Sequence, residues 1–172
     1  MKKSIYLFAI AATSLITMTA CGQDKSKRPS PPAKATVTTT KGTTITIDYS
    51  QPSVKGRTIG KEIAAFGEVW RTGANEATTF EVSKDVTIGG KKLAAGKYGL
   101  YTIPGEKEWT IIFNKKTDLW GSNGYKESED ALRTVSTPTK SATLAEKMTF
   151  SIVPSGTVSL MWGDVKVDFK ID

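Results

Sequence analysis

The chain contains no histidine among its 172 residues and only one cysteine, Cys21. Without imidazole there is no Ser-His-Asp or Cys-His catalysis, no histidine metal site, and no base whose ordinary pKa sits near neutrality. A single thiol excludes an intramolecular disulfide, so the fold rests on its apolar core even in an oxidising compartment. Iron–sulfur ligation by several cysteines is excluded with it. Also missing are a glycine-rich phosphate loop after a strand, a dinucleotide fingerprint, an EF-hand loop and any internal repeat. No cofactor is called for. The chemistry left to this chain belongs to carboxylates, Lys, Arg, Tyr and the hydroxyl residues.

Charge of one sign is concentrated at the start. The whole chain carries 24 basic and 17 acidic residues, a net charge of +7. Lys2, Lys3, Lys25, Lys27, Arg28 and Lys34 all fall in the first 35 residues against Asp24 alone, which leaves 18 basic and 16 acidic residues for the remainder. The body is therefore close to neutral, and a nucleic-acid partner is rejected. Basic residues next to a lipid anchor are better matched to anionic headgroups.

The anchor is read from Met1-Lys-Lys-Ser, the apolar run 5–16, and Met18-Thr-Ala-Cys21. A basic n-region, a short h-region and small residues before the cysteine make a secretory signal of lipobox type. Residues 1–20 are expected to be removed, and Cys21 to be lipidated and membrane-anchored. Gln23 to Lys34, rich in proline and charge, reads as a flexible tether, giving a segment 21–35. A single domain then spans 36–172, a length suited to one core. The expected location is the cell envelope, at the outer membrane, facing the periplasm or the surface.

Within the domain, strand signals dominate. Ile45, Ile47 and Tyr49 alternate in Thr43–Tyr49; Thr78–Ser83 alternates through Phe80 and Val82. Val86–Leu93 reads as a tight hairpin turning on Gly89-Gly90. Lys97–Ile103 and the nearly continuous apolar run Trp109–Phe113 follow, the second suited to a strand covered on both faces. After a long polar loop from Asn114 to Asp130 come Leu132–Thr137, Lys147–Val153, Thr157–Trp162 and Val165–Ile171, the last two separated by Gly163-Asp164. Ile59–Phe66 has room for one helical turn, and Val69–Arg71 for a short strand. About nine or ten short strands with almost no helical period predict an all-β fold, an antiparallel β-sandwich, with a closed barrel as the alternative.

Two stretches concentrate polar and aromatic groups. The first, from Glu68 to Phe80, holds Trp70, Arg71, Asn75 and Glu76 around Gly73 as a backbone hinge. As a site, Trp70 offers a stacking face, Arg71 a clamp, Asn75 an amide and Glu76 an acceptor. As a structural corner, Arg71 pairs with Glu76, Asn75 caps its own backbone and Trp70 enters the core. The second stretch, Trp120, Asn123 and Tyr125 in the long loop, is either a sugar-stacking platform or a plug for one end of the core. Paired carboxylates drawn from Asp48, Glu68, Glu76 and Asp118 suit glycoside hydrolysis if one has a raised pKa, with Glu76 the first catalytic candidate. Glu127, Glu129 and Asp130 have the chemistry of a calcium site or of a solvated loop; no metal is assigned.

Three stretches, Asp48–Arg57, Phe66–Phe80 and Leu93–Trp109, followed by Ile111–Lys115, carry a family resemblance. They resemble domain of unknown function 2911, a family of bacterial lipoproteins and secreted proteins common in Bacteroidetes, from about Ala35 to the C-terminus. The resemblance implies an exported β-rich domain and supplies no catalytic residues. The reading is a cell-envelope lipoprotein with a binding or structural β-sandwich whose partner is a glycan, a peptide or an envelope protein; the alternative is a carboxylate-dependent, glycosidase-like hydrolase.

Overall fold

The computed structural model describes residues 24–172. The signal segment 1–20 and Cys21 lie outside the described residues. Ten strands follow in order: β1 (Pro32–Thr38), β2 (Thr44–Ser50), β3 (Thr78–Val82), β4 (Val86–Ile88), β5 (Lys91–Leu93), β6 (Gly96–Ile103), β7 (Trp109–Asn114), β8 (Asp130–Ser136), β9 (Thr139–Ile152) and β10 (Thr157–Lys170). Six form one antiparallel sheet in the order β1-β2-β3-β6-β7-β8, and the pairs β9-β10 and β4-β5 stand apart as two-stranded ribbons. The large sheet ends at β1 and β8 without closing, so the architecture is sandwich-like and the barrel alternative is discarded.

Alternation explains the packing. Ile45 and Ile47 of β2 stand opposite Val82 and Phe80 of β3, and Leu100 of β6 stands opposite Phe113 of β7. These side chains share one face and are all but inaccessible. Phe150, Leu160, Val167 and Phe169 of the long ribbon, with Val86, Ile88 and Leu93 of the short one, close over them. Aromatic edges interlock at the centre: Phe80 and Phe113 at 4.8 Å, and Phe113 and Phe169 at 5.9 Å, geometries that add to simple area burial. Strand β7 is apolar on both sides as its sequence requires. Its Ile112, with Tyr101 of β6, is fully buried on the opposite face beneath Leu119 and Tyr125 of the long loop.

Four local readings change. Thr157–Trp162 and Val165–Ile171 are one strand of 14 residues, because Gly163 at φ 58° makes a bulge and not a turn. A glycine that tolerates positive φ serves both purposes, and the sequence does not distinguish them. Strand β9 starts at Thr139, eight residues before the apolar pattern begins, and its first half is largely exposed. The run 59–66 forms hydrogen-bonded turns, with Glu62 and Ile63 amides on the Thr58 carbonyl, and no helix. Ordered edge strand β1 starts at Pro32, inside the segment read as tether. The Gly89-Gly90 hairpin stands as read, at φ 56° and 75°; a Cβ on Gly89 would come within 2.0 Å of Thr134 Oγ1, so close packing also demands glycine there.

Truncating the aromatic centre is expected to be costly. Phe80→Ala should destabilise by about 3–5 kcal/mol in chemical denaturation, the usual range for a buried phenylalanine. Val135→Ala, at a side chain 56% exposed on β8, should stay within about 0.5 kcal/mol.

Candidate functional site

The stretch after Trp70 is fixed by backbone pairing before any side chain acts. The Trp70 amide donates to the Thr102 carbonyl at 2.8 Å and the Thr102 amide donates back at 2.9 Å. This pairing sends the Trp70 indole into the core, where it stacks on Trp162 at 5.2 Å and meets Trp109 edge-on at 6.3 Å. Its Nε1 donates to the Gly73 carbonyl. The chain then turns through Thr72 and Asn75, both at positive φ (51° and 59°), and not through Gly73. Gly73 is needed for another reason. A Cβ there would lie 2.7 Å from Thr78 Oγ1, which itself donates to the Thr72 carbonyl.

Asn75 and Glu76 emerge from this knot toward residues 24–31. The Asn75 amide donates to the Ser30 carbonyl at 3.0 Å and to Ser50 Oγ at 3.3 Å. Arg28 Nη1 donates to both Glu76 oxygens, at 3.0 and 2.9 Å, and Lys25 Nζ stands 3.1 Å away. Asp24 caps the 3-10 turn Lys25–Lys27 by accepting from the Ser26 amide and hydroxyl. The Pro31 carbonyl accepts from the Gln51 amide. Residues 24–31 are thus a strap folded onto the end of the sandwich. The bond from its own backbone amide and the neighbouring Arg28 and Lys25 hold the Glu76 carboxyl down at about 2, against an opposing effect of burial.

Arg71 and Glu76 do not meet. The Arg71 guanidinium has no ion pair among the described residues, its Nε is buried without a hydrogen bond, and burial pulls its pKa down. It lies against Gly121, where a Cβ would come within 2.9 Å of Nη1. The long loop runs beside the same stretch: Ala77 donates to the Leu119 carbonyl, Gly121 donates to the Asn75 carbonyl, and Trp120 bridges with Glu76. Trp120 itself stays 59% exposed.

Tyr125 is turned inward. Its hydroxyl donates to Asp130 Oδ2 and accepts from Arg133 Nη2, both at 2.7 Å, its ring tilts against Tyr101 at 5.1 Å, and burial pushes its pKa up to about 12. The nearby acidic groups converge on Arg133, with Asp130 at 2.6 Å and Glu127 at 3.0 Å. Asn123 is exposed.

A mixed-charge groove of about 340 Å³ runs along this end, with Arg28, Asp48, Glu76, Thr79, Lys97 and Thr117 in its walls. Asp48 is paired there with Lys34 at 3.0 Å. Of the residues read from the sequence, Asn75, Glu76 and Asp48 come together at this end and Trp120 flanks it. Trp70 is in the core, Arg71 is under the loop, and Tyr125 belongs to the Arg133 network. Arg28, Lys25 and Lys97 were missed: Arg28 lies 48 positions from its carboxylate, and no local pattern announces such a pair.

Two measurements follow from this geometry. Because the Glu76 carboxyl is held below its ordinary 4.5, the clamp is fully present above that value and is lost as pH falls through about 2. Hydrogen exchange at the Ser26 and Gln51 amides, corrected for intrinsic rates, should therefore rise as pH falls below 4.5, and in Glu76→Gln it should be raised already at neutral pH. Arg71→Met keeps the apolar volume and removes a half-buried charge without a partner, so its melting temperature should match or exceed that of the parent protein.

The family model described as "Protein of unknown function (DUF2911)" matches residues 30–171, which include every strand and the groove walls other than Lys25 and Arg28. Neither a curated protein nor a solved structure matches the chain. With the match covering most of its length, the chain belongs to the DUF2911 family.

Proposed function

We propose that this protein is a cell-envelope lipoprotein, anchored through Cys21 at the outer membrane, whose β-sandwich is a binding domain and not a catalyst. The observation that carries this reading is the state of Glu76. Its carboxyl, held at about 2 by the bond from its own backbone amide and by Arg28 and Lys25, has no proton to donate at neutral pH and little basicity with which to accept one. A glycosidase-like pair needs one carboxyl with a raised pKa, so the first candidate for a carboxylate hydrolase lacks the property that reaction demands. What the groove does offer is fixed charge of both signs, Arg28 and Lys97 beside Asp48 and Glu76.

That composition favours a peptide-bearing envelope ligand, with its own carboxylates and amines, over a neutral glycan. A neutral glycan would want aromatic faces, and of the aromatic candidates Trp70 and Tyr125 are turned away from this end while Trp120 lines a separate cleft beside it. The lipobox, the basic n-region and the apolar run before Cys21 support the anchor.

The test is a pull-down on peptidoglycan alongside peptide and glycan arrays. Retention on peptide-containing material is expected, weakened at least several-fold in the double variant Asp48→Lys/Lys97→Glu and unaffected in Val135→Ala. Equal retention of all three proteins would remove the groove as the binding site.

A further inference from the structure

Alone of the four tryptophans, Trp120 faces solvent; Trp109 and Trp162 are 2% and 3% exposed, and Trp70 is packed between them. A single exposed aromatic on a soluble surface needs no explanation. This one has a specific neighbour. Trp120 and the strap residues Asp24, Lys27, Arg28 and Pro29 line a common cleft of about 270 Å³, floored by Asn75. The strap is fixed to the domain at Glu76 and at Asn75, so the chain leaves the sandwich beside Trp120 and nowhere else. Asp24 is three residues from Cys21, a span of at most about 11 Å even when fully extended. That reach is comparable with the polar layer on one side of a bilayer, roughly 5–8 Å deep.

We propose that the Trp120 face rests in the headgroup layer of the membrane that holds the Cys21 lipid, an inference that depends on the anchor reading above. Tryptophan is suited to that layer, with an apolar body and a polar N–H, and is enriched there in membrane proteins. The cations beside it point the same way. Lys25 and Lys27 have side chains 60% and 84% exposed, and Lys27 meets Asp24 only loosely at 3.9 Å. Its ammonium is thus available to a lipid phosphate. A bilayer is favoured over a protein partner because the short leash holds this face against the membrane. The domain would then be seated in a fixed orientation with the strap end down.

The test uses the full-length lipidated protein in vesicles of phosphatidylglycerol and phosphatidylcholine carrying bromine at a shallow position of the acyl chains. Fatty-acid labelling of Cys21 is measured on the same material. The expected result is a labelled protein whose tryptophan emission is quenched, with most of that quenching absent in Trp120→Phe at an unchanged melting temperature. If the label is present but parent and Trp120→Phe are quenched alike, the seating is overturned while the anchor stands. If no label is found, anchor and seating fall together.

Discussion

A sheet with an interior strand that is apolar on both faces has to be covered twice. Phe113 and Ile111 of β7 point one way and Ile112 the other, and all three are buried. The first face is met by the ribbons. The second is met by the 115–126 loop, through Leu119 and Tyr125, with Val69 and Ala77 beside them, against Tyr101 and Ile112. Burying these groups is worth on the order of 25 cal/mol for each Å² removed from water, far more than any ion pair at the surface. The loop is therefore held in place by the core, and its hydrogen bonds to Asn75 and Ala77 follow from where the core puts it. Trp120 stands beside Glu76 as a by-product of covering Ile112.

The strap depends on weaker forces. Glu76 has a side chain 41% exposed and Lys25 one 60% exposed, and ion pairs that wet contribute about 1 kcal/mol or less. The Arg28 contact, partly shielded and charge-assisted, with one Nη1 donating to both oxygens, is the stronger half. Residues 24–31 are thus a latch on a finished domain and not a pillar of it. Releasing such a latch would leave the core untouched, since the sandwich behind it is held by Phe80, Trp162 and their neighbours.

The division between strong and weak forces also explains what the sequence disclosed. Period-two alternation located β2, β3, β6 and β10, and a continuous apolar run located β7, because those strands carry the core and their pattern is the imprint of burial. Strand β1 and the first half of β9 were illegible for the converse reason. They bury little: β1 alternates only through the small, half-buried Ala33, Ala35 and Val37, a faint pattern next to the proline-rich run before it, and Lys140 to Leu144 carry no alternation to read. Gly163 was visible as a conformational break but ambiguous in kind. At the candidate site, Trp70 in the core was legible as one of two readings, whereas the partner of Glu76 was not. Short polar contacts across 48 residues leave no periodic trace, and the Arg71–Glu76 pairing suggested by proximity in the chain is prevented by the knot at Thr72 to Thr78.

The open six-stranded sheet keeps two edge strands, β1 and β8, with backbone free on their outer sides, and crowded chains would tend to join along them. Here both margins are blunted. β1 begins at Pro32, which has no amide to offer, is preceded by a Pro31 carbonyl already taken by Gln51, and carries the charged Lys34. On β8 the Arg133 carbonyl accepts from Lys91 Nζ at 2.8 Å, and the flanking Arg133 side chain is spread over Asp130 and Glu127. A second copy sliding alongside meets a missing donor on one margin and an occupied acceptor on the other. Residues that do little for the stability of one molecule thus work against the joining of many along their edges.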